Sequence, residues 1–215
     1  MELKISNPNI HLTLLPQKVI WAKDITSMFL ADLHFGKAAH FRKSGLPIPE
    51  LIHQKDLTVI QYLMETYLPT DFYLLGDLFH SVWNEQWQVL NDFLSQFTST
   101  KFHLILGNHD VLGEKFYSSS IFLIHPEPLE LDSLILSHEP MENIPEGKIN
   151  LCGHIHPGYS LRGKARQIIK IPCFHFKPNQ ITLPAFGHFT GLMMVKPQSQ
   201  DKIYGVCEEK IIQIL

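Results

Sequence analysis

Apolar residues in this chain form two kinds of pattern, and the change between them divides the sequence. "IHLTLLPQKVIWA" (Ile10 to Ala22) predicts two strands around Pro16-Gln17, and "SMFLA" (Ser27 to Ala31) another. After Pro47 and Pro49, the residues Leu51, Ile52, Val59, Ile60, Leu63 and Tyr67 recur mostly at helical spacing, and Pro69 closes that helix. "FYLL" (Phe72 to Leu75) predicts a strand. Trp83, Trp87, Leu90, Leu94 and Phe97 then step by three and four, an amphipathic helix. "FHLIL" (Phe102 to Leu106) predicts a further strand. Alternation of strand and helix predicts right-handed crossovers and a largely parallel sheet.

The second half changes character. "IFLI", "SLILS", "INLC", "QIIKI", "QITL", "GLMMV" and "KIYGV" are short β-rich segments separated by Pro, Gly and polar turns. They predict a second, more antiparallel sheet. The expected fold class is α/β, a two-sheet β-sandwich flanked by helices. With no repeat and no linker, the 215 residues are expected to form one domain, 1–215.

Composition narrows the function. Hydrophobic residues make up 45% and charged residues 18%, enough apolar content for a real core. A formal net charge of -3 and a pI near 6.5 argue against a globally basic nucleic-acid protein. Cys152, Cys173 and Cys207 form no C-x-x-C pair, which favours a reducing, cytoplasmic compartment. The opening residues mix polar residues and prolines into their apolar run and make a poor signal peptide. No window approaches the roughly 18 apolar residues of a membrane span. The unusual count is histidine, at 13.

Many of those histidines stand where an apolar run ends. "FLADLH" gives Asp32 and His34, "LLGDLFH" gives Asp77 and His80, and "LILGNHD" gives Asn108, His109 and Asp110. "LILSHEP" gives His138, and "NLCGHIH" gives His154 and His156. In open α/β sheets, ligands bind at the carboxyl ends of strands, and strands about 4.8 Å apart bring neighbouring exits within reach. One such histidine is ordinarily a hydrogen-bonded structural residue, and a lone Asp77 would be read as a helix cap. Five such exits in one chain point to a shared site. Asp32 and His34 are two apart and share a side if the chain stays extended, and so do His154 and His156. Carboxylates, an amide oxygen and imidazoles form a mixed nitrogen and oxygen ligand set. Seven such groups suit two ions with one bridging carboxylate, a pair that clamps a phosphoryl group and generates a hydroxide nucleophile. Gly76, Gly107 and Gly153 precede ligands where the chain must turn and let a substrate approach.

In this order the motifs D-x-H, G-D, G-N-H-[DE], a lone His and G-H-x-H resemble the calcineurin-like metallophosphoesterases. That resemblance implies their architecture and assigns Asp32, His34, Asp77 and His156 to one metal. It assigns Asp77, Asn108, His138 and His154 to the other, with Asp77 bridging. It also implies that His109 faces the substrate and stabilises or protonates the leaving oxygen, with Asp110 orienting its ring. Protein phosphatases of this family follow G-D with Asp-Arg, whereas this chain has Leu78-Phe79-His80. Together with "ADLHFGKAAHFRKSGLPIP", "IPCFHF" and "LPAFGHFTG", this ending resembles the DNA-ligase-associated phosphoesterases. The resemblance implies Mn-favoured phosphodiester hydrolysis of DNA, with Fe or Zn acceptable to the same ligands. It also implies a functional link to an ATP-dependent DNA ligase and a helicase in DNA repair.

Two basic clusters are expected at the rim. Lys37, His40, Arg42 and Lys43 follow the first ligand pair, and Arg162, Lys164 and Arg166 follow the last. They would hold phosphates and steer a polyanion. His40, His80 and His175 could contact substrate or orient ligands. Phe41, Phe174, Phe176, Phe186 and Phe189 are either base-stacking residues or core. Two other readings compete: a phosphoesterase of cyclic nucleotides or of a nucleotide-linked lipid precursor, and a catalytically retired scaffold. Retention of every ligand and of His109 argues against the scaffold.

Overall fold

The computed structural model describes residues 1–6, 9–38, 41, 45, 52–79, 83–125, 127–163 and 167–215. The first sheet follows chain order. Strands β1 (Glu2–Ser6), β2 (Asn9–Leu15), β3 (Val19–Ala22) and β4 (Ser27–Leu30) form an antiparallel meander. Strands β5 (Asp71–Leu75), β6 (Lys101–Ile105) and β7 (Phe122–His125) then add in parallel. The parallel steps are linked by helices α1 (Ile52–Tyr67), α2 (Glu85–Leu94) and the short α3 (Glu114–Ser118). α2 starts at Asn84, whose side chain accepts the Gln86 N–H at 3.0 Å.

The second sheet contains β8 (Leu129–Leu131), β9 (Leu134–Leu136), β10 (Ile149–Cys152), β11 (Pro157–Arg162), β12 (Ile168–Lys177) and β13 (Gln180–Thr182). It is completed by β14 (Met193–Met194), β15 (Lys202–Cys207) and β16 (Lys210–Gln213). Its order is β14-β11-β12-β13-β10-β9-β8, with β15 beside β12 and β16 beside β15. The expected antiparallel character holds for the β8-β9, β11-β12, β12-β13, β12-β15 and β15-β16 pairs, but β9, β10 and β13 run parallel to one another and β14 pairs parallel with β11. "IFLI" became β7, the outer strand of the first sheet.

Period-2 alternation sorts the strands' side chains. Met28, Leu30, Phe72, Leu74, Phe102 and Leu104 face the helices, packing on Ile60, Leu63, Met64, Trp87, Leu90 and Leu94. Phe29, Tyr73, Leu75 and Ile105 face the second sheet, meeting Leu134, Leu136, Ile149, Leu151, Phe174 and Ile181. Burial on both faces explains the near-continuous apolar runs of β4, β5 and β6, broken in β6 by buried His103. Cys152 and Cys173 are core residues of the second sheet, and burial pushes both thiols up to about 12. Of the described residues, no helix is long and apolar enough to cross a membrane.

Trp87 fastens α2 to the sheet, its ring 5.5 Å from Phe79, 5.7 Å from Tyr117 and 5.8 Å from Phe122. Trp87→Ala is expected to cost about 3–5 kcal/mol. The cost would be read from the urea midpoint at constant m-value; a loss under about 1 kcal/mol would mean the neighbours collapse into the space.

Candidate metal centre

The polypeptide leaves the key strands through left-handed backbone. Asp32 (φ 56°), His34 (48°), Asp77 (48°), His154 (65°) and His156 (50°) all lie in that region, where Asp and His are enriched among non-glycine residues. The extended geometry expected for Asp32-x-His34 and His154-x-His156 is therefore replaced by tight turns that aim both side chains inward. The loops after β4 and β5 run side by side: the N–H groups of Asp32, His34 and Phe35 donate to the carbonyls of Gly76, Asp77 and Leu78 at 3.2, 2.9 and 2.8 Å. On the other side Ala185 bridges Ala31, and the Phe186 and Gly187 N–H groups donate to the Ala31 and Asp32 carbonyls.

Two groups of ligand atoms converge there. In the first, His34 Nε2 and His156 Nε2 are 3.2 Å apart, His156 Nε2 is 3.4 Å from Asp32 Oδ1, and His34 Nε2 is 3.7 Å from Asp77 Oδ2. In the second, Asn108 Oδ1, His138 Nε2 and His154 Nδ1 lie 3.0–3.1 Å from one another, and His138 Nε2 is 3.4 Å from Asp77 Oδ1. Each oxygen of Asp77 thus faces one group. Asp32, Asp77 and His138 are almost wholly buried.

The chemistry of the second group tests whether a cation fits. His138 Nδ1 lies 3.0 Å from the Leu75 carbonyl, which can only accept. Nδ1 therefore carries the proton and Nε2 presents a bare lone pair. That lone pair faces an amide oxygen, a carboxylate oxygen and a second imidazole nitrogen. One shared proton cannot serve four acceptors at these distances, whereas a divalent cation serves all of them. The residues present fit metal ions.

The frame around the ligands is built from backbone donors. The His154 N–H donates to both oxygens of Asp32, at 3.2 and 3.0 Å, joining the two sheets. The His109 N–H donates to Asp77 Oδ1 at 2.9 Å, so Asp77 does not cap a helix. A Cβ on Gly76 (φ 75°) would collide with the His138 ring, and one on Gly153 would sit 2.6 Å from Asp32 Oδ2. These glycines make room for ligand side chains, a tighter demand than the substrate access expected of them.

The ring of His109 stands exposed 5.7 Å from that of His34. Lys37 is half-buried in the field of Asp77 and Asp32; burial draws its pKa down and the two carboxylates push back. Arg162 ends β11, six residues past His156, about 20 Å along an extended strand; it is not brought to the cluster. His40, Arg42, His80, Lys43, Lys164 and Arg166 lie outside the described residues. His175 pairs with Asp201 at 2.7 Å. Phe174 and Phe186 are core, Phe176 is partly buried in it, and half-buried Phe41 and Phe189 pack edge to face.

Sequence reasoning missed the supports of the segment beside Asp32. Lys18 Nζ donates to the Phe186 carbonyl at 2.6 Å, and burial lowers its pKa to about 8. Asp56 of α1, itself buried, accepts from the His188 N–H at 3.2 Å and lies 2.6 Å from its Nδ1. Neither residue stands at a strand exit, so the signal used above could not find them.

Asp110 also has a task of its own. Its two carboxylate oxygens accept the N–H groups of Phe79 and Gly107, each at 2.9 Å, tying the β5 and β6 loops together. Burial pushes its carboxyl up to about 7, against the pull of those two donors. Asp110→Asn keeps the shape but turns one acceptor into a donor facing an N–H. The variant is expected to lose about 1–3 kcal/mol, measured by denaturant unfolding; unchanged stability would refute the tie.

Comparison with known proteins agrees with this geometry. The family model for calcineurin-like phosphoesterases matches residues 25–175. No curated protein matches the chain. Among solved structures, Pseudomonas putida nuclease MPE superposes with a TM-score of 0.82 at 26% identity, covering 100% of this chain and 99% of that one. YfcE, a phosphoesterase from E. coli, gives a TM-score of 0.44 at 18% identity, covering 87% and 97%. A match over residues 25–175, carrying the ligand-bearing ends of β4, β5, β6, β9 and β10, means that the chain belongs to the calcineurin-like phosphoesterase family, hydrolases that use divalent metals.

Proposed function

We propose that this protein is a dinuclear metal-dependent phosphodiesterase that cuts DNA. The observation that carries the reading is Asp77, with one carboxylate oxygen toward each group of ligand atoms. Asp32, His34, Asp77 and His156 would hold one ion, and Asp77, Asn108, His138 and His154 the other. Mixed nitrogen and oxygen donors suit Mn, with Fe and Zn also accommodated. Divalent cations there would act as Lewis acids on a phosphoryl group and lower the pKa of water beside it.

The chain's own residues do the rest. His109 is anchored by its backbone on Asp77 and presents its ring to solvent beside His34. From there it can hydrogen-bond a phosphoryl oxygen and hand a proton to the departing oxygen. Lys37 adds positive charge at the same edge. The DNA substrate is supported by full-length similarity to a protein described as a nuclease. The motifs "IPCFHF" and "LPAFGHFTG" support a place in DNA repair beside an ATP-dependent ligase and a helicase.

A substrate panel on Mn-reconstituted protein tests the reading. Oligonucleotides are expected to be cleaved faster than cyclic nucleotides or nucleotide-linked lipid precursors, and EDTA should abolish cleavage; turnover confined to the small molecules would overturn it. A pair of variants tests the division of labour. His109→Ala should keep its metal content while losing about 10²–10⁴ in turnover. Asp77→Ala should lose metal as well as activity. Metal analysis showing two ions retained by Asp77→Ala would remove the bridging role.

A further inference from the structure

Of the three tryptophans, Trp21 and Trp87 are buried at 8% and 3% exposure, whereas Trp83 is 46% exposed. Its spacing from Trp87 suggests the apolar stripe of α2, yet it lies before the cap residue Asn84 and outside the helix. It stacks on half-buried Phe116, with ring centroids 5.9 Å apart and planes at 17°. The ammonium of Lys115 stands 4.9 Å from the centre of the same Phe116 ring. Phe116 is in turn next to Tyr117, which packs edge-on against Trp87.

This assembly is tied to the loops that carry the candidate ligands. Trp83 lies six residues past Asp77 on the loop that leaves β5, and Phe116 lies six past Asp110 in α3, which follows the loop that leaves β6. Asp110 clamps those two loops together. Asn84, beside Trp83, packs against Gly36, whose Cβ would be 3.3 Å from its Nδ2, and Gly36 is two residues past His34. Trp83 is thus stacked on an aromatic ring with a cation near it, and stays 46% exposed.

We infer that Trp83 is a stacking platform for a nucleobase of the bound strand, flanking the phosphate at the metal centre. The inference rests on the nucleic-acid reading above and gives it a residue that grips a base. Every base has a π face, so such a platform binds single-stranded nucleic acid with little sequence preference. A cation beside the stacked rings favours that contact and the neighbouring phosphate alike. Pre-stacking on Phe116 leaves little side-chain freedom to lose on binding.

The test uses Mn-loaded enzyme and a single-stranded phosphorothioate oligonucleotide carrying 2-aminopurine. Wild type should quench the 2-aminopurine emission on binding. Trp83→Ala should lose the quench and bind about tenfold more weakly, while Trp83→Phe should restore most of both. An oligonucleotide with abasic sites should bind wild type and Trp83→Ala equally. If wild type binds and cleaves DNA but Trp83→Ala shows the same quench and affinity, the platform is refuted and the nucleic-acid reading stands. If wild type neither binds nor cleaves oligonucleotides, the nucleic-acid reading falls and the platform with it.

Discussion

Lone pairs held against lone pairs are the constraint around which this structure is organised. Four imidazoles, two carboxylates and an amide bring acceptor atoms to within 3.0–3.7 Å of their neighbours in two groups, mostly out of water. Such crowding is unfavourable without compensating positive charge, and the dry surroundings magnify it. The fold supplies part of that charge as oriented backbone dipoles, with N–H groups aimed at Asp32 and Asp77. Left-handed backbone at five ligand positions adds about 1–3 kcal/mol of strain each. Two hydrophobic cores, one on each face of the first sheet, hold these turns in place.

Neither sheet can build the centre alone. Asp32, His34, Asp77 and Asn108 come from the first sheet, and His138, His154 and His156 from the second. Two polar straps cross between the sheets, from the His154 N–H to Asp32 and from His138 Nδ1 to the Leu75 carbonyl. The first strap sets a carboxylate and the second sets a tautomer, so registration of the sheets and chemistry of the ligands are one problem. The 185–187 segment completes the frame by pairing with Ala31 and Asp32.

Much of this was legible in the sequence. Apolar runs ending in Asp, Asn and His gave the strand exits, because a buried strand must be apolar and its ligands must wait until it ends. Strands β1, β8, β11 and β16 and the short α3 were not legible, since these short segments carry mixed residues with no clean period. The local conformation of the ligand turns was also hidden. Alternation along "ADLH" implies extension, but tertiary pairing of the β4 and β5 loops imposes left-handed backbone instead. Trp83 fell in with the helix stripe because spacing of four does not reveal where the cap stands.

The sharing of each ligand group between the sheets bears on synthesis. A nascent chain that has reached the end of β7 already contains Asp32, His34, Asp77 and Asn108, and its first sheet is complete in strand order. It still lacks three of the four imidazoles of the cluster. No length that stops at the end of β10 carries either ligand group complete, so the two groups close only after the second sheet has begun to form against the first.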